Sequence, residues 1–307
     1  MGIFIDQTGY LPASRKVATT TFPCNFQLID SKTQHAVYDG VSMDSGMDES
    51  AGEHVYQLDF SEVTTPGSYY VLAGNGERSH TFIIGDHVYE QLQLDLMKCL
   101  YFQRCGCALT SEYAGEYTHA ACHTEDAIFL EDYMNQTPNP PHFDMTGGWH
   151  DAGDFGRYIS PAAVAVGHLL YAYELFPESF QASLHIPESG NLLPDILNEC
   201  LYELKWMLKM QADNGGAYHK LTSFVHADFL MPEEDKLPFL IYPVSAMATA
   251  DFAASMALAS RVYAPFDKEF SRQALEASRK AFAYMESHPY IGFHNPEGSN
   301  TCLLYTS

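Results

Sequence analysis

Two aspartates three residues apart, Asp151 and Asp154, lie in the run Gly147-Gly148-Trp149-His150-Asp151-Ala152-Gly153-Asp154, beside an imidazole and an indole. Neighbouring carboxylates can hold and deprotonate one water molecule, provided one stays ionised while the other orients the water. Trp149 adds a flat apolar face on which a sugar ring can stack, or it can anchor the loop from behind. The same residue types also make an Asx-type turn that caps a helix starting near Arg157. Arg157 and Tyr158, just downstream, are placed to hydrogen-bond a carboxylate of the pair. Tyr218 and His219, after the turn Asp213-Asn214-Gly215-Gly216, are further candidates for contacts with sugar hydroxyls.

A second group offers metal chemistry. Arg104-Cys105-Gly106-Cys107 is followed by Ala121-Cys122-His123, and His150 directly precedes the aspartates. Two thiolates and two imidazoles complete a tetrahedral zinc site, in which Cys105 and Cys107 compete for one position. Free cysteines and unrelated histidines are the alternative. Such a site is filled by protein ligands, so its role is structural: it clips the long 105–148 loop and offsets the entropy of ordering it. Cys24, Cys99, Cys200 and Trp206 read as packing residues. Glu233-Glu234-Asp235 reads as a solvated loop, with calcium binding as the lesser alternative.

The elements that must position these residues change character along the chain. Residues 1–85 carry short β-prone runs at 2–5, 25–29, 54–60, 68–72 and 80–84. They are separated by turn signals at Leu11-Pro12, Asp39-Gly40, Thr65-Pro66-Gly67 and Gly74-Asn75-Gly76, a spacing that suggests a β-sandwich. Beyond Gly85-Asp86 the apolar period becomes helical, over 87–104, 157–176, 194–211, 244–263 and 267–287. Pro194 and Pro243 suit a first helical turn and Asp267 an N-cap. Long helices joined by long loops fit an α/α toroid whose loops at one end build a site.

The formal charge of −23 argues against nucleic acid and anionic membranes as partners. No apolar run approaches the about 20 residues of a membrane helix. Seven cysteines are too few and too irregularly spaced for a disulfide scaffold. Residues 1–10 show neither the basic nor the apolar region of a signal peptide.

Several segments together resemble glycoside hydrolase family 9, in particular bacterial cellulases with an N-terminal immunoglobulin-like domain. They are Asp6-Gln7-Thr8-Gly9-Tyr10-Leu11-Pro12, then 101–106, 120–123, 147–158, 186–191, 194–197, 208–211, 218–220 and 243–263, in the family's order. The resemblance implies an immunoglobulin-like sandwich (1–85) followed by the N-terminal part of an (α/α)6 barrel (86–307). It implies hydrolysis of β-1,4-glucosidic bonds in cellulose, cello-oligosaccharides or related β-glucans, with inversion. Asp154 would be the general base and Asp151 would help to hold the water. Zinc would sit on Cys105, Cys122, His123 and His150; calcium is common in such enzymes, without ligands to assign here. An extracellular location is implied as well.

Inversion also needs a second carboxylic acid, roughly 6.5–9.5 Å from the base. In the family this is a Glu near the C-terminal end of the barrel. Nothing from residue 288 onward matches that motif, and Glu297 lies in a stretch that reads as loop. The expectation is a C-terminally truncated, inactive chain with uncovered apolar faces on its helices. Competing readings are a non-catalytic carbohydrate-binding or scaffold protein, an exo-acting β-glucosidase or glucosaminidase of the same family, and a hydrolase with catalytic zinc.

Overall fold

A computed structural model describes residues 2–288 and 290–301; the segment Cys302–Ser307 lies outside them. The chain divides into two compact units, Met1–Leu96 and Met97–Ser307. The first contains β1 (Ile3–Phe4), β2 (Val17–Thr20), β3 (Asn25–Asp30), β4 (Ala36–Val41), β5 (Met43–Asp48), β6 (Glu53–Asp59), β7 (Gly67–Ala73) and β8 (Phe82–Ile84). They form two four-stranded sheets, in the orders β1-β2-β6-β5 and β4-β3-β7-β8. Alternation sends Phe26 and Leu28 of β3, Leu58 of β6 and Val71 of β7 into one buried cluster with Phe60 and Phe82.

Three strands escape the sequence reading. β2 is short, while β4 and β5 carry polar residues along largely exposed sheet edges. Asp39-Gly40 is not a turn. Both residues lie inside β4, paired with Gln27 and Phe26. Glycine is required there because a Cβ at Gly40 would fall 2.4 Å from the Phe26 ring.

The second unit is helical, apart from one small sheet. Helix α1 (Glu90–Phe102) spans the division between the units and is followed by α2 (Ser111–Ala114), β9 (Ile128–Phe129), α3 (Leu130–Met134), β10 (Arg157–Tyr158) and α4 (Ile159–Leu175). Then come α5 (Asp195–Lys209), β11 (Lys220–Thr222), β12 (Leu240–Ile241), α6 (Ala246–Tyr263) and α7 (Lys268–Ser287). The long helices start where the sequence signals them: Asp267 Oδ1 accepts from Phe270 N (2.9 Å) and Ser245 Oγ from Ala248 N (3.1 Å). Helices α4 to α7 share one core, with Leu170, Leu204, Met207, Phe252 and Ala274 all buried. On α4, Val164, Tyr171 and Leu175 stay exposed at 60%, 51% and 65%.

The expected helix over 157–176 begins two residues late, because Arg157 and Tyr158 pair with Leu221 and Lys220. The resulting sheet, in the order β10-β11-β12-β9, ties together loops that are distant in sequence. Strands of two or three residues carry too little period to be seen in sequence, yet they set the place of everything between Gly147 and Tyr158.

Candidate active site

The loop bearing the two aspartates is pinned at both ends. His150 N donates to Gln103 O (2.7 Å), Cys105 N to Gly148 O (2.8 Å) and Asp151 N to Gly156 O (2.8 Å). Arg157 does not reach either aspartate. Its Nη1 donates to the carbonyls of Met145 (2.8 Å) and Gly147 (2.6 Å), holding the loop's entry. Gly147 and Gly148 have φ of 107° and 79°, and a Cβ on Gly148 would lie 2.7 Å from Trp206 Cδ2. Gly148→Ala therefore combines left-handed strain with overpacking, and should cost about 2 kcal/mol or more. A thermal melt that matches the wild type would contradict this.

Asp154 is held through one oxygen. Tyr158 Oη donates to Oδ2 (2.6 Å), and His226 Nδ1 stands 3.4 Å from the same atom. Oδ1 is shielded and has no hydrogen-bond donor among the described residues. Its lone pairs are not occupied by any donor from the described residues. Burial, with the charge of Asp154 added to it, pushes the Asp151 carboxyl above its ordinary value. Two adjacent carboxylates with unlike environments are suited to one water, one as base and one as orienter.

Beneath this loop lie the four metal-ligand candidates. One ligand atom from each of Cys105, Cys122, His123 and His150 falls within 4.8 Å of the others. Individual separations are 3.6 Å for Cys105 Sγ to His123 Nδ1, 3.8 Å for Cys122 Sγ to His150 Nε2, and 3.4 Å between the two imidazole nitrogens. Bond lengths of about 2.0–2.3 Å give tetrahedral edges of about 3.3–3.8 Å, so the donors fit a single four-coordinate ion. Burial lowers the His150 pKa, which keeps its ring neutral and able to ligate. The neighbouring Cys105 thiol, then His123 and His150, favour the thiolate of Cys122. Among the described residues this is the one such group, and its sulfur donors suit a softer ion than calcium.

Cys107, the rival to Cys105, stands outside the group. Asp235, read from sequence as solvated, is instead buried, and its Oδ2 lies 3.3 Å from His123 Nε2. A carboxylate behind a ligating histidine fixes the ring's tautomer and orientation. Phe155 links the two centres. It takes a left-handed φ of 56°, and its ring packs 5.4 Å from that of His123 and 5.2 Å from that of His150. The residue after Asp154 is thus seated on two of the candidate ligands.

Trp149 is 7% exposed, with Nε1 donating to Glu199 (2.9 Å) and its backbone N to Glu203. His219 is 2% exposed, stacked on Phe293 at 3.8 Å and joined to Ser245 Oγ through Nδ1 (2.8 Å). Burial holds the His219 pKa down at about 4. Neither side chain presents an open face to a sugar in this conformation. Tyr218 is half-buried against Phe129 (5.6 Å). Trp206 is buried in the core, as its helix implies.

Helix α5 also buries two glutamates. Glu199 pairs with Arg104 Nε and Nη2. Glu203 accepts from Trp149 N, while its Oε1 has no partner among the described residues. Burial pushes the Glu203 pKa up to about 8, against the pull of Trp149 N–H and Arg157. A carboxyl whose pKa is raised on folding binds its proton more tightly when folded. Its contribution is therefore full below the ordinary 4.5 and is lost as pH rises towards 8. Glu203→Gln, which keeps an acceptor for Trp149 N, should flatten the fall in urea midpoint between those pH values. The wild-type loss of unfolding free energy over that range should be larger by on the order of a few kcal/mol; equal slopes would contradict it.

The family model for glycosyl hydrolase family 9 matches residues 89–307, and that for the cellulase N-terminal Ig-like domain matches residues 1–79. A cellodextrinase of Butyrivibrio fibrisolvens is 41% identical over 306 residues, covering 97% of this chain and 54% of the relative. Endoglucanase D of Acetivibrio thermocellus is 34% identical over 303 residues, covering 97% and 48%. A mutant thermostable endoglucanase from Alicyclobacillus acidocaldarius superposes with a TM-score of 0.88 at 33% identity, covering 98% of this chain and 55% of that one. A Zn-binding triple mutant of the family 9 endoglucanase J30 gives 0.85 at 34% identity, covering 94% and 55%. The chain spans about half the length of the curated relatives it matches. Its architecture is an immunoglobulin-like sandwich followed by part of an (α/α)6 barrel, and the chain belongs to glycosyl hydrolase family 9.

Proposed function

We propose that this chain carries the water-activating half of an inverting glycoside hydrolase that cleaves β-1,4-glucosidic bonds. The observation behind this is the Asp154 carboxylate, anchored through Oδ2 by Tyr158, with Oδ1 left without a donor among the described residues and Asp151 alongside. Asp154 is the base: Oδ1 takes a proton from a water that attacks the anomeric carbon from the face opposite the leaving oxygen. Asp151 holds that water. Inversion requires a general acid to protonate the leaving oxygen, and no described residue is assigned that role; Glu297 is exposed in a loop. The names of the relatives, cellodextrinase and endoglucanase, support cello-oligosaccharides or cellulose as substrates. Tyr218 is retained as a sugar-contacting candidate. The boundary between sandwich and barrel is placed near residue 86.

Zinc is the proposed ion for Cys105, Cys122, His123 and His150. An ion on four protein ligands has a structural role, and when bound it cross-links the loop ahead of the aspartates. The Zn-binding relative supports this choice.

An activated donor isolates the base's share of the chemistry. β-Cellobiosyl fluoride expels fluoride without a proton, so turnover needs no general acid. The chain should hydrolyse it and release reducing sugar. Equilibrium binding of cellohexaose without any fluoride release would instead support a binding or scaffold protein.

A further inference from the structure

We propose that His226 is a positioning residue for Asp154, the second of two donors that fix which carboxylate oxygen receives the water's proton. This rests on the reading of Asp154 as base. His226 lies in the 223–239 connection between β11 and β12, far from the aspartate loop in sequence. Two hydrogen bonds hold its backbone. Its N donates to Asn300 Oδ1 (3.0 Å), and Ser223 Oγ donates to Val225 O (2.6 Å) one residue earlier.

The result is specific to one nitrogen. The side chain is 36% exposed, yet Nδ1 is buried, makes no hydrogen bond among the described residues and stands 3.4 Å from Asp154 Oδ2 as an ion-pair contact. A surface histidine without a role would turn that nitrogen to water. Tyr158 Oη alone, at 2.6 Å, leaves the carboxylate free to swing about that single bond. Once the His226 contact shortens to a hydrogen bond, two donors on Oδ2 set the carboxylate plane and keep Oδ1 as the basic oxygen. Contacts of this kind are often long before substrate arrives and shorten in the reacting complex.

Two substitutions separate donor from bulk. His226→Phe keeps a ring and removes the donor. His226→Asn places an amide nitrogen where Nδ1 stands. With β-cellobiosyl fluoride, His226→Phe should lose about tenfold to a hundredfold in kcat, with KM within about twofold of wild type. His226→Asn should stay within about threefold. Melting curves establish that each variant is folded. Equal kcat losses in both variants, or a KM effect with kcat unchanged, would overturn the positioning role. Wild-type rates in His226→Phe beside an inactive Asp154→Asn would sink this inference and spare the base. If Asp154→Asn turns over as wild type, or wild type shows no turnover, the base assignment fails and this role fails with it.

Discussion

Asp154→Asn should reduce turnover of β-cellobiosyl fluoride by about a thousandfold, while melting temperature and cello-oligosaccharide affinity stay close to wild type. The size follows from the task, since a positioned base contributes about 10²–10⁴-fold. The amide is isosteric and can still meet Tyr158 Oη at 2.6 Å through its oxygen, so the fold has no reason to change. What it lacks is a basic oxygen at Oδ1, the atom without a donor among the described residues. A fall in melting temperature parallel to the loss of rate would instead mark Asp154 as a structural carboxylate. Asp151→Asn should be milder, because an amide still hydrogen-bonds water.

Removing the metal should change stability far more than chemistry. Chelation, or Cys122→Ser, should lower the melting temperature of the helical unit by roughly 10 °C or more. Structural ions contribute several kcal/mol to folding, and a domain of this size shifts by about 2–4 °C for each kcal/mol. The 105–148 segment and the aspartate loop are joined at this cluster, through Cys105, Cys122 and His150. Losing the ion frees both. At temperatures well below the lowered melt, fluoride turnover should persist after chelation. Immediate loss of turnover with an unchanged melt would mean that the ion is catalytic.

Much of this was legible in sequence, for identifiable reasons. The Asp151–Asp154 loop and all four candidate ligands lie in compact motifs, and glycine spacing marks where the backbone must turn. The long helices announce themselves by apolar period and by caps such as Asp267. What escaped depends on chain segments meeting from afar. Asp235 reads as one acid in an acidic run, and only its approach to His123 shows that it is buried. Glu199 and Glu203 carry no sequence signal of burial, yet they are buried, against Arg104 and the Trp149 backbone respectively. His226 has no motif at all; it matters because the connection after β11 crosses to Asp154. Trp149 left two readings open in sequence, a sugar platform or an anchor behind the loop. Glu199 takes its N–H in the interior.

The anomer of the first product tests the central chemistry most directly. Proton NMR of β-cellobiosyl fluoride hydrolysis, recorded before mutarotation, should show α-cellobiose forming with wild-type protein and none forming with Asp154→Asn. Initial formation of β-cellobiose would mean attack by a protein nucleophile and retention. That result, or α-product undiminished in the Asp154 variant, would contradict a water delivered by this carboxylate.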